Sequence, residues 1–572
     1  MSRSHPLRIA FLVDNLTSEY PADLAQGVLR AARQMQARVL IIPGGELGLE
    51  PSHPVVRNFV YDWLRAAQVD GLVVAAGSLS NHVGVERLRE WLQAFAHLPC
   101  MAIGLDLGGV PSVHVNNESG MHDLVDHMIR VHSRRRIAFI GGPSTSVEAQ
   151  AREQGYRRAL AAHGVRIDDR LLVSAHTLGR EDALAAVAEL FDVRRLSPDT
   201  LDAIIGMNDE IALGVLEELN RRGILVPKAI AVAGFDNSAE ARAANPPLST
   251  VNQHVELQAF TATRALLDAI EKGEKPANVQ LESEAIFRSS CGCAAILGND
   301  STALPAPNLR LAKTSKLALL ERRVAISAEL SRAANGRLAG LPSWESRLLD
   351  ALMRDLDNAQ PADFLREFEL LVRQHMSRGH GMLGFHDVLT ALRLQVLICA
   401  AVEPTSRGKI EDLFQESRLM LSRIGYDVER TRHQNLAAHL RILWRASLSE
   451  LGSGSEQDLG RVLDQQLPAI GVAGFCVSRL REGAAKGREL EVTWRRSARG
   501  ASRPSHTLGL SDLGIDAALG AEAALVIEPL DFDGKPVGVA VFTWGALEMP
   551  HYAQLREMLG AAVFGLNRSR RP

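Results

Sequence analysis

The chain has 572 residues, more than one hydrophobic core supports, so two to four domains are expected. Apolar residues make up 46%, charged residues 23%, and the formal net charge is −3, a balance with no global drive toward nucleic acid or a membrane surface. The amino-terminal apolar run, Ile9 to Val13, is shorter than the ~7–15 residues of a secretory signal. No stretch approaches the ~20 apolar residues of a membrane span, so a cytoplasmic protein is expected.

In chain order, "LRIAFLVDN" reads as a strand and "YPADLAQGVLRAARQM" as a helix with apolar residues at helical spacing. "ARVLIIPGG", "VDGLVVAAG" and "PCMAIGLD" are further strands, separated by the helices "VRNFVYDWLRAAQ" and "GVERLREWLQAFAH". The alternation continues through "SGMHDLVDHMIRV", "RRRIAFIGG", "EAQAREQGYRRALAAHG", "DRLLVSAH", "REDALAAVAELFD", "LDAIIGMND", "EIALGVLEELNRRG" and "AIAVAGFD". Near-continuous apolar strands alternating with helices predict an α/β fold of parallel sheets covered on both faces. Ligands in such sheets sit at the carboxyl ends of the strands. Those ends carry Asp14-Asn15, Gly77-Ser78, Asp106, Gly141-Gly142, Asn208-Asp209 and Asp236.

Near Ser290 the alternation stops, and residues 297–308 form a Pro/Ser/Asn-rich linker. Residues 309–451 read as a helical connector. Its first helix shows apolar residues at Leu317, Leu320, Val324 and Ala328. Its last and longest, 409–451, steps through Leu413, Met420, Ile424 and Val428 and has the length of a coiled coil. Residues 455–567 read as a small α+β domain: the strand "AGFCVSRL", a hairpin turning at Asp533-Gly534, and a final helix. Cys100, Cys399 and Cys476 stand alone in apolar contexts and read as buried thiols. Cys291-Gly-Cys293 is a lone pair; a metal site needs a second pair or added histidines, and neither lies nearby in sequence, so no metal is expected.

Several separated motifs then converge. "RRRIAFIGGP" (134–143), "AREQGYRRALAAHG" (151–164), "IIGMNDEIALGVLEELNRRGILVPKAIAVAGFDN", "NPPLSTVNQ" and "FRSSCGC" (287–293) occur in one order. In them the chain resembles the lactose-repressor/ribose-binding-protein superfamily, the type I periplasmic-binding-protein-like sensors. "LIIPGGELG" and "AAGSLSNHVG" resemble the sensor halves of hybrid bacterial signalling proteins, in which helical and GAF-like regions follow. The resemblance implies a two-lobed domain over 7–296, with lobe 1 about 7–117 and 252–280 and lobe 2 about 118–251 and 281–296. It implies a GAF-like domain over 455–567, carried by "VIEPLDFDGKPVGVAVFTWG". Pro246 and Pro247 then belong to a return across the hinge, where they end a helix and hold the preceding residue extended.

Asp106, Arg152, Asn208 and Asp236 match family positions that contact ligand, and Asp14, Asn15, Ser78 and Gln253 are added as flanking candidates. Arginine supplies a planar fork of donors, and Asp or Asn accepts from hydroxyls or ring N–H groups. Arg152 is expected to be an exposed cleft residue that contributes little to the core. The alternative for this set is structural, with Asp209 capping the helix that begins at Glu210. The chain departs from the repressors in having only six residues before its first strand, so no operator-binding helix-turn-helix is expected. It also has His176-Thr177 where the family often has an aromatic residue.

"GGEL" (44–47) reads as a turn, because no metal-binding carboxylates accompany it. "HSRRR" (132–136) and "RSRR" (568–571) read as basic helix ends. His433 and His439 have no ATP-binding domain after them and read as surface or seam residues. No nucleophile triad, metal constellation or P-loop is found. The expected protein is a non-enzymatic sensor without catalytic residues or cofactor. It closes on a small polar metabolite, sugar or nucleoside-like, and signals as a homodimer through the connector and GAF-like domain to a separate kinase, cyclase or regulator. No direct nucleic-acid or membrane contact is expected. The alternatives are a transcription regulator without its own helix-turn-helix, and an interaction scaffold that has lost its ligand.

Overall fold

The computed structural model describes residues 6–48, 57–64, 69–176, 178–293, 315–355, 363–376, 381–399, 410–426, 440, 456–480, 490–497, 500–501, 507–508, 524–545 and 549–569. The chain divides into two compact units, Met1–Gly298 with Ile442–Pro572, and Asn299–Arg441.

In the first unit, β1 (Arg8–Val13), β2 (Arg38–Pro43), β3 (Gly71–Ala75), β4 (Cys100–Ile103) and β5 (Ser112–Val115) form a parallel sheet in the order β5-β4-β3-β1-β2. Ile9 to Val13 are all fully buried, as a central strand covered on both faces requires. Ala10 and Leu12 share a core with Leu72, Leu88 and Phe95. Helices Glu19–Gln34 and Val255–Lys272 pack on one another and on this sheet. They cross so closely that a Cβ on Gly27 would stand 2.2 Å from the Glu256 carbonyl oxygen.

The second lobe holds β6 (Ile137–Gly141), β7 (Leu172–Ser174), β8 (Ala203–Gly206) and β9 (Ala231–Ala233), parallel and ordered β7-β6-β8-β9. Its core gathers Met121, Phe139, Tyr156, Ile205, Leu219 and Phe235. The lobes are joined by β10 (Thr250–Asn252), β11 (Val279–Leu281) and β12 (Glu284–Ile286). β11 adds in parallel to β5 of the first lobe, and β12 pairs antiparallel with β10, with Thr250 opposite Ile286. This is the α/β two-lobed architecture of parallel sheets that the sequence led one to expect.

The carboxyl-terminal residues contribute β13 (Phe475–Leu480), β14 (Leu490–Ser497), β15 (Gly500–Ala501), β16 (Thr507–Leu508), β17 (Ala524–Phe532) and β18 (Lys535–Thr543), with helices Glu456–Ala469 and Met549–Ser569. The hairpin turn has Asp533 at φ 49° and Gly534 at φ 68°, the left-handed pair that an Asp-Gly turn provides. The sequence set these residues apart as a domain, yet β17 lies parallel to β2, with Val39, Leu40 and Ile41 opposite Ala524, Leu525 and Val526. One sheet therefore runs from the first lobe through β2, β17, β18 and β13 to β14. Leu40 and Ile42 share a core with Ile527, Val539 and Val541. An apolar edge strand is an aggregation hazard until something pairs with it; here β17 does so.

The second unit is helical: Ser315–Glu321, Arg323–Ala334, Trp344–Asp355, Asp363–Met376, Leu383–Cys399 and 410–426. Phe364, Phe368, Phe385 and Phe414 form its centre. The Asp355 carboxylate accepts from the Asp363 and Phe364 N–H groups at 3.0 and 2.9 Å and so caps the next helix. The apolar stripe read from the sequence has the wrong phase. Leu317, Leu320 and Val324 are 47%, 45% and 83% exposed, while Leu319, Ile326 and Leu330 are buried. Leu413 and Ile424, expected in a dimer seam, are buried in this unit's own core. Val428, His433 and His439, with the rest of the expected coiled coil beyond residue 426, lie outside the described residues, apart from residue 440. No helix among the described residues is long and apolar enough to cross a membrane.

Candidate functional site

The carboxyl ends of β1, β6 and β8 are each followed by a helix whose first turn faces a cleft of about 320 Å³. Asp14, Asn15, Ser78, Arg152, Asn208, Asp236 and Gln253 all line it. Asp106 does not. It is exposed, and its Oδ1 accepts from the Gly108 N–H at 2.9 Å, which makes it a turn residue.

Asp236 ends the buried run Ile230–Phe235 at φ 122°, a rare conformation for a residue with a side chain. Its N–H donates to the Val251 carbonyl at 2.8 Å, and its Oδ1 accepts from Gln253 Nε2 at 2.6 Å. Arg152 Nη1 lies 3.6 Å from the same oxygen. Arg152 itself is 3% exposed, against the expectation of an exposed cleft residue. Its Nε donates to Asn117 Oδ1 and its Nη1 to the Met207 carbonyl, both at 2.8 Å. Its guanidinium lies 3.8 Å above the Phe235 ring. Arg152 therefore ties together the helix it sits on, the helix after β5, the end of β8 and the end of β9.

Asn208 is a cap as well as a lining residue. Its Oδ1 accepts from the Ile211 N–H at 2.9 Å and its Nδ2 donates to the Leu178 carbonyl at 3.0 Å. The cap role expected of Asp209 belongs to Asn208, because the helix begins one residue earlier, at Asp209. Asp209 instead accepts from Thr250 Oγ1 at 2.6 Å and from the Ser238 N–H at 2.8 Å, fastening the lobe to the hinge strand.

Sequence reasoning missed several lining residues: Tyr20, Glu46 and Glu148 among them. Glu148 lies in the first turn of helix Val147–Ala162, and Tyr20 in the first turn of Glu19–Gln34. The signal that could have found both is the carboxyl-end rule carried one turn further, from the strand tip into the following helix. His176 is exposed and is not part of the lining, and Thr177 lies outside the described residues.

The cleft is acidic. Among the described residues, Asp14, Glu19, Asp23, Glu46, Glu148, Asp209, Glu210 and Asp236 line it, with Arg152 the lining cation. Burial pushes the carboxyls of Asp14 and Glu148 upward, and that of Asp236 well above the usual range, with Arg152 opposing the rise at the latter two. Burial, and then the charge of Asp14, raise Glu46 to about 7; His82 Nε2 stands 2.9 Å away. Buried oxygens of Asp14, Glu148 and Gln253 have no hydrogen-bond partner. An unpartnered buried polar atom costs about 1–3 kcal/mol, so these acceptors favour a ligand that donates.

Residues 125–291 match the family model of the periplasmic binding protein-like domain. Over 190 residues the chain is 36% identical to the HTH-type transcriptional regulator CelR of Thermobifida fusca, covering 33% of this chain and 54% of that protein. Over 256 residues it is 27% identical to the HTH-type transcriptional repressor CytR of Escherichia coli, covering 44% of this chain and 70% of that protein. It thus spans about half the length of the first relative. Among solved structures, the transcriptional regulator CelR–cellobiose complex is 28% identical, with a TM-score of 0.43, and the likeness covers 50% of this chain and 84% of that one. A LacI family transcriptional regulator from Mycobacterium smegmatis is 23% identical, with a TM-score of 0.43, covering 49% and 98%. The chain carries a periplasmic-binding-protein-like domain whose relatives are transcriptional regulators.

Proposed function

We propose that residues 7–296 are a ligand sensor, and that its ligand is a small, hydroxyl-rich and uncharged molecule such as a sugar. The observation that carries this reading is the acceptor-rich cleft. Among the described residues, eight carboxyls and the orphaned oxygen of Gln253 line the cleft against one buried arginine. An anionic ligand would meet repulsion there, while each ligand hydroxyl brings a donor. Tyr20, Pro21, Leu178, Met207 and Val255 supply apolar surface for the carbon face of such a molecule. Asp14, Asn15, Ser78, Arg152, Asn208, Asp236 and Gln253 are the proposed contacts. Arg152 acts by holding Asp236 as much as by touching ligand.

Ligand shifts such a protein only through its greater affinity for the closed form. In this chain the first lobe is continuous with the carboxyl-terminal strands through β2 and β17. Closure would therefore move the second lobe against a block made of the first lobe and the proposed GAF-like domain. The helical connector, a homodimer, a cytoplasmic location and a separate output protein complete the proposal. The names of the relatives favour a second reading, control of transcription, for the same binding event.

The test is a thermal-shift screen of the full chain with sugars, polyols, nucleosides and amines. The full chain is needed because a cut at residue 296 would bare β2. A ligand at 100 times its dissociation constant should stabilise by about 2.7 kcal/mol. Asp236→Asn should weaken that ligand by about 1.5–3 kcal/mol. A response only to carboxylates or phosphates, or one unchanged in Asp236→Asn, would overturn the reading.

A further inference from the structure

Four side chains able to ligate a metal meet outside the lining of the cleft. His127 and His132 come from the helix Asn117–Arg130 and the turn that follows it, and Cys291 and Cys293 from the chain's return to the second lobe. The histidines lie more than 150 residues upstream of the cysteines and reach them only through the fold, so the local sequence around Cys291-Gly-Cys293 shows a lone pair.

We infer that His127, His132, Cys291 and Cys293 form a four-ligand metal site, with a donor set of two thiolates and two imidazoles suited to zinc(II). The Nε2 atoms of the two histidines are 3.2 Å apart. Cys293 Sγ lies 3.3 Å from His127 Nε2 and 3.4 Å from His132 Nε2. Cys291 Sγ lies 3.8 Å from His127 Nε2, and all four ligand atoms fall within 4.8 Å of one another. A regular tetrahedron built on ordinary zinc bond lengths has edges of about 3.3 Å between nitrogens, 3.6 Å between nitrogen and sulfur, and 3.8 Å between sulfurs. The N–N spacing and three of the four N–S spacings lie within about 0.3 Å of those edges, and the two remaining spacings, both from Cys291 Sγ, fall within 4.8 Å. Hydrogen bonding does not account for them as well. His127, His132 and Cys293 make a near-equilateral triangle, and three contacts meeting at such sharp corners cannot all be straight hydrogen bonds.

The surroundings hold the ligands in place before any metal arrives. The His127 ring stacks on Phe287, centroids 3.5 Å apart and planes 9° from parallel. The turn Ser289–Cys291 is anchored from both sides: Ser290 Oγ donates to the Val232 carbonyl at 2.6 Å and accepts from the Ser249 N–H at 2.7 Å. The Cys291 thiol donates to the Arg288 carbonyl at 3.1 Å. Gly292 stands at φ 113°, and a Cβ there would come within 3.2 Å of the His132 ring. Glycine between the cysteines thus lets both sulfurs turn to one point with an imidazole against the backbone. A metal there would fasten the last described residue of the two-lobed domain, Cys293, to the lobe's first helix.

The experiment uses the full chain purified under reducing conditions. Elemental mass spectrometry should find about one zinc per chain. Exchange for cobalt(II) should give a thiolate-to-cobalt charge-transfer band and the intense ligand-field bands of a four-coordinate ion. Cys293→Ser and His132→Ala should each lower affinity more than about tenfold, measured by competition with a chromophoric chelator. His132 is only half-buried, so its variant should keep the circular dichroism of the parent. Cys476→Ser, in the carboxyl-terminal sheet, should leave the cobalt spectrum unchanged. Reduced protein that takes up neither metal would overturn the inference. So would cobalt bands that survive in Cys293→Ser, or a Cys291–Cys293 disulfide isolated in place of metal.

Discussion

The two lobes of residues 7–296 read alike in sequence and are held differently. The first lobe's sheet does not end at β2; it continues into β17 and the strands beyond. The second lobe's sheet is four strands, β7-β6-β8-β9, with no further strand added at either edge among the described residues. Each lobe has its own apolar core, and to its core the second lobe adds two polar groupings, the Arg152 hub at the cleft and the histidine–cysteine cluster. Only the first lobe shares its core with the carboxyl-terminal strands. A part that must move relative to its neighbour has to be attached on one side only, and this arrangement supplies that asymmetry.

The comparison is most easily broken at the shared core. Ile527 is fully buried with Leu40 and Ile42. Ile527→Ala should cost about 4 kcal/mol. Amide-exchange protection should fall in β1 and β2 as well as in β17, while β6 and β8 keep theirs. Unchanged protection in β1 and β2 would mean that the first lobe and the carboxyl-terminal strands are separate cores. The converse test lies in the second lobe. Arg152→Ala removes the buried hydrogen bonds to Asn117 and the Met207 carbonyl together with the guanidinium beside Asp236, a loss of about 2–4 kcal/mol. Protection should fall in helix Val147–Ala162 and leave β17 untouched. Asp106→Ala, at an exposed turn, should change stability by less than about 0.5 kcal/mol.

The pH dependence sharpens the contrast further. Glu528 on β17 is fully buried, with Arg556 Nη1 3.8 Å away, and both its oxygens lack a hydrogen bond. Burial raises it from 4.5 to about 7, with Arg556 and Arg57 opposing the rise. Its folded pKa lies above its unfolded value, so its contribution to stability is full below about pH 4.5 and is lost as pH climbs through about 7. At about 1.4 kcal/mol per pH unit the loss is up to about 3 kcal/mol. Glu528→Gln should flatten that fall between pH 5 and 8, as followed by urea denaturation. A slope equal to the parent's would show that Glu528 ionises without cost.

The alternation of apolar strands and helices was legible because each strand announces itself locally, and the Asp-Gly hairpin likewise. The strand tips Asp14, Asn15, Ser78, Asn208 and Asp236 came from the same local rule, whereas Arg152, on a helix, came from the family resemblance, and Gln253 was not among the tips; all seven line the cleft. The rule stops at the tip, so Tyr20 and Glu148, one helical turn on, were missed. It also cannot tell a tip that turns toward the cleft from one that closes its own turn, as Asp106 does. The phase of the stripe at Leu317, Leu320 and Val324 failed because a helix rich in leucine and alanine offers more than one apolar face, and only the neighbours choose. The β2–β17 pairing left no local trace, and the histidine–cysteine cluster left only its cysteine pair, since their partners lie hundreds of residues, or more than 150, apart.

The β2–β17 pairing has a consequence for how the chain is made. Val39 pairs with Ala524, and 485 residues separate them. At about 5–20 residues per second, a ribosome needs roughly 25–100 s to deliver the second strand after the first has emerged. For that interval the nascent first lobe presents β2 with its ladder open, and after β11 has joined β5 it still waits for β17. The edge that joins the two ends of the finished molecule is the one left bare longest during synthesis, and it is where a holding chaperone would find its hold.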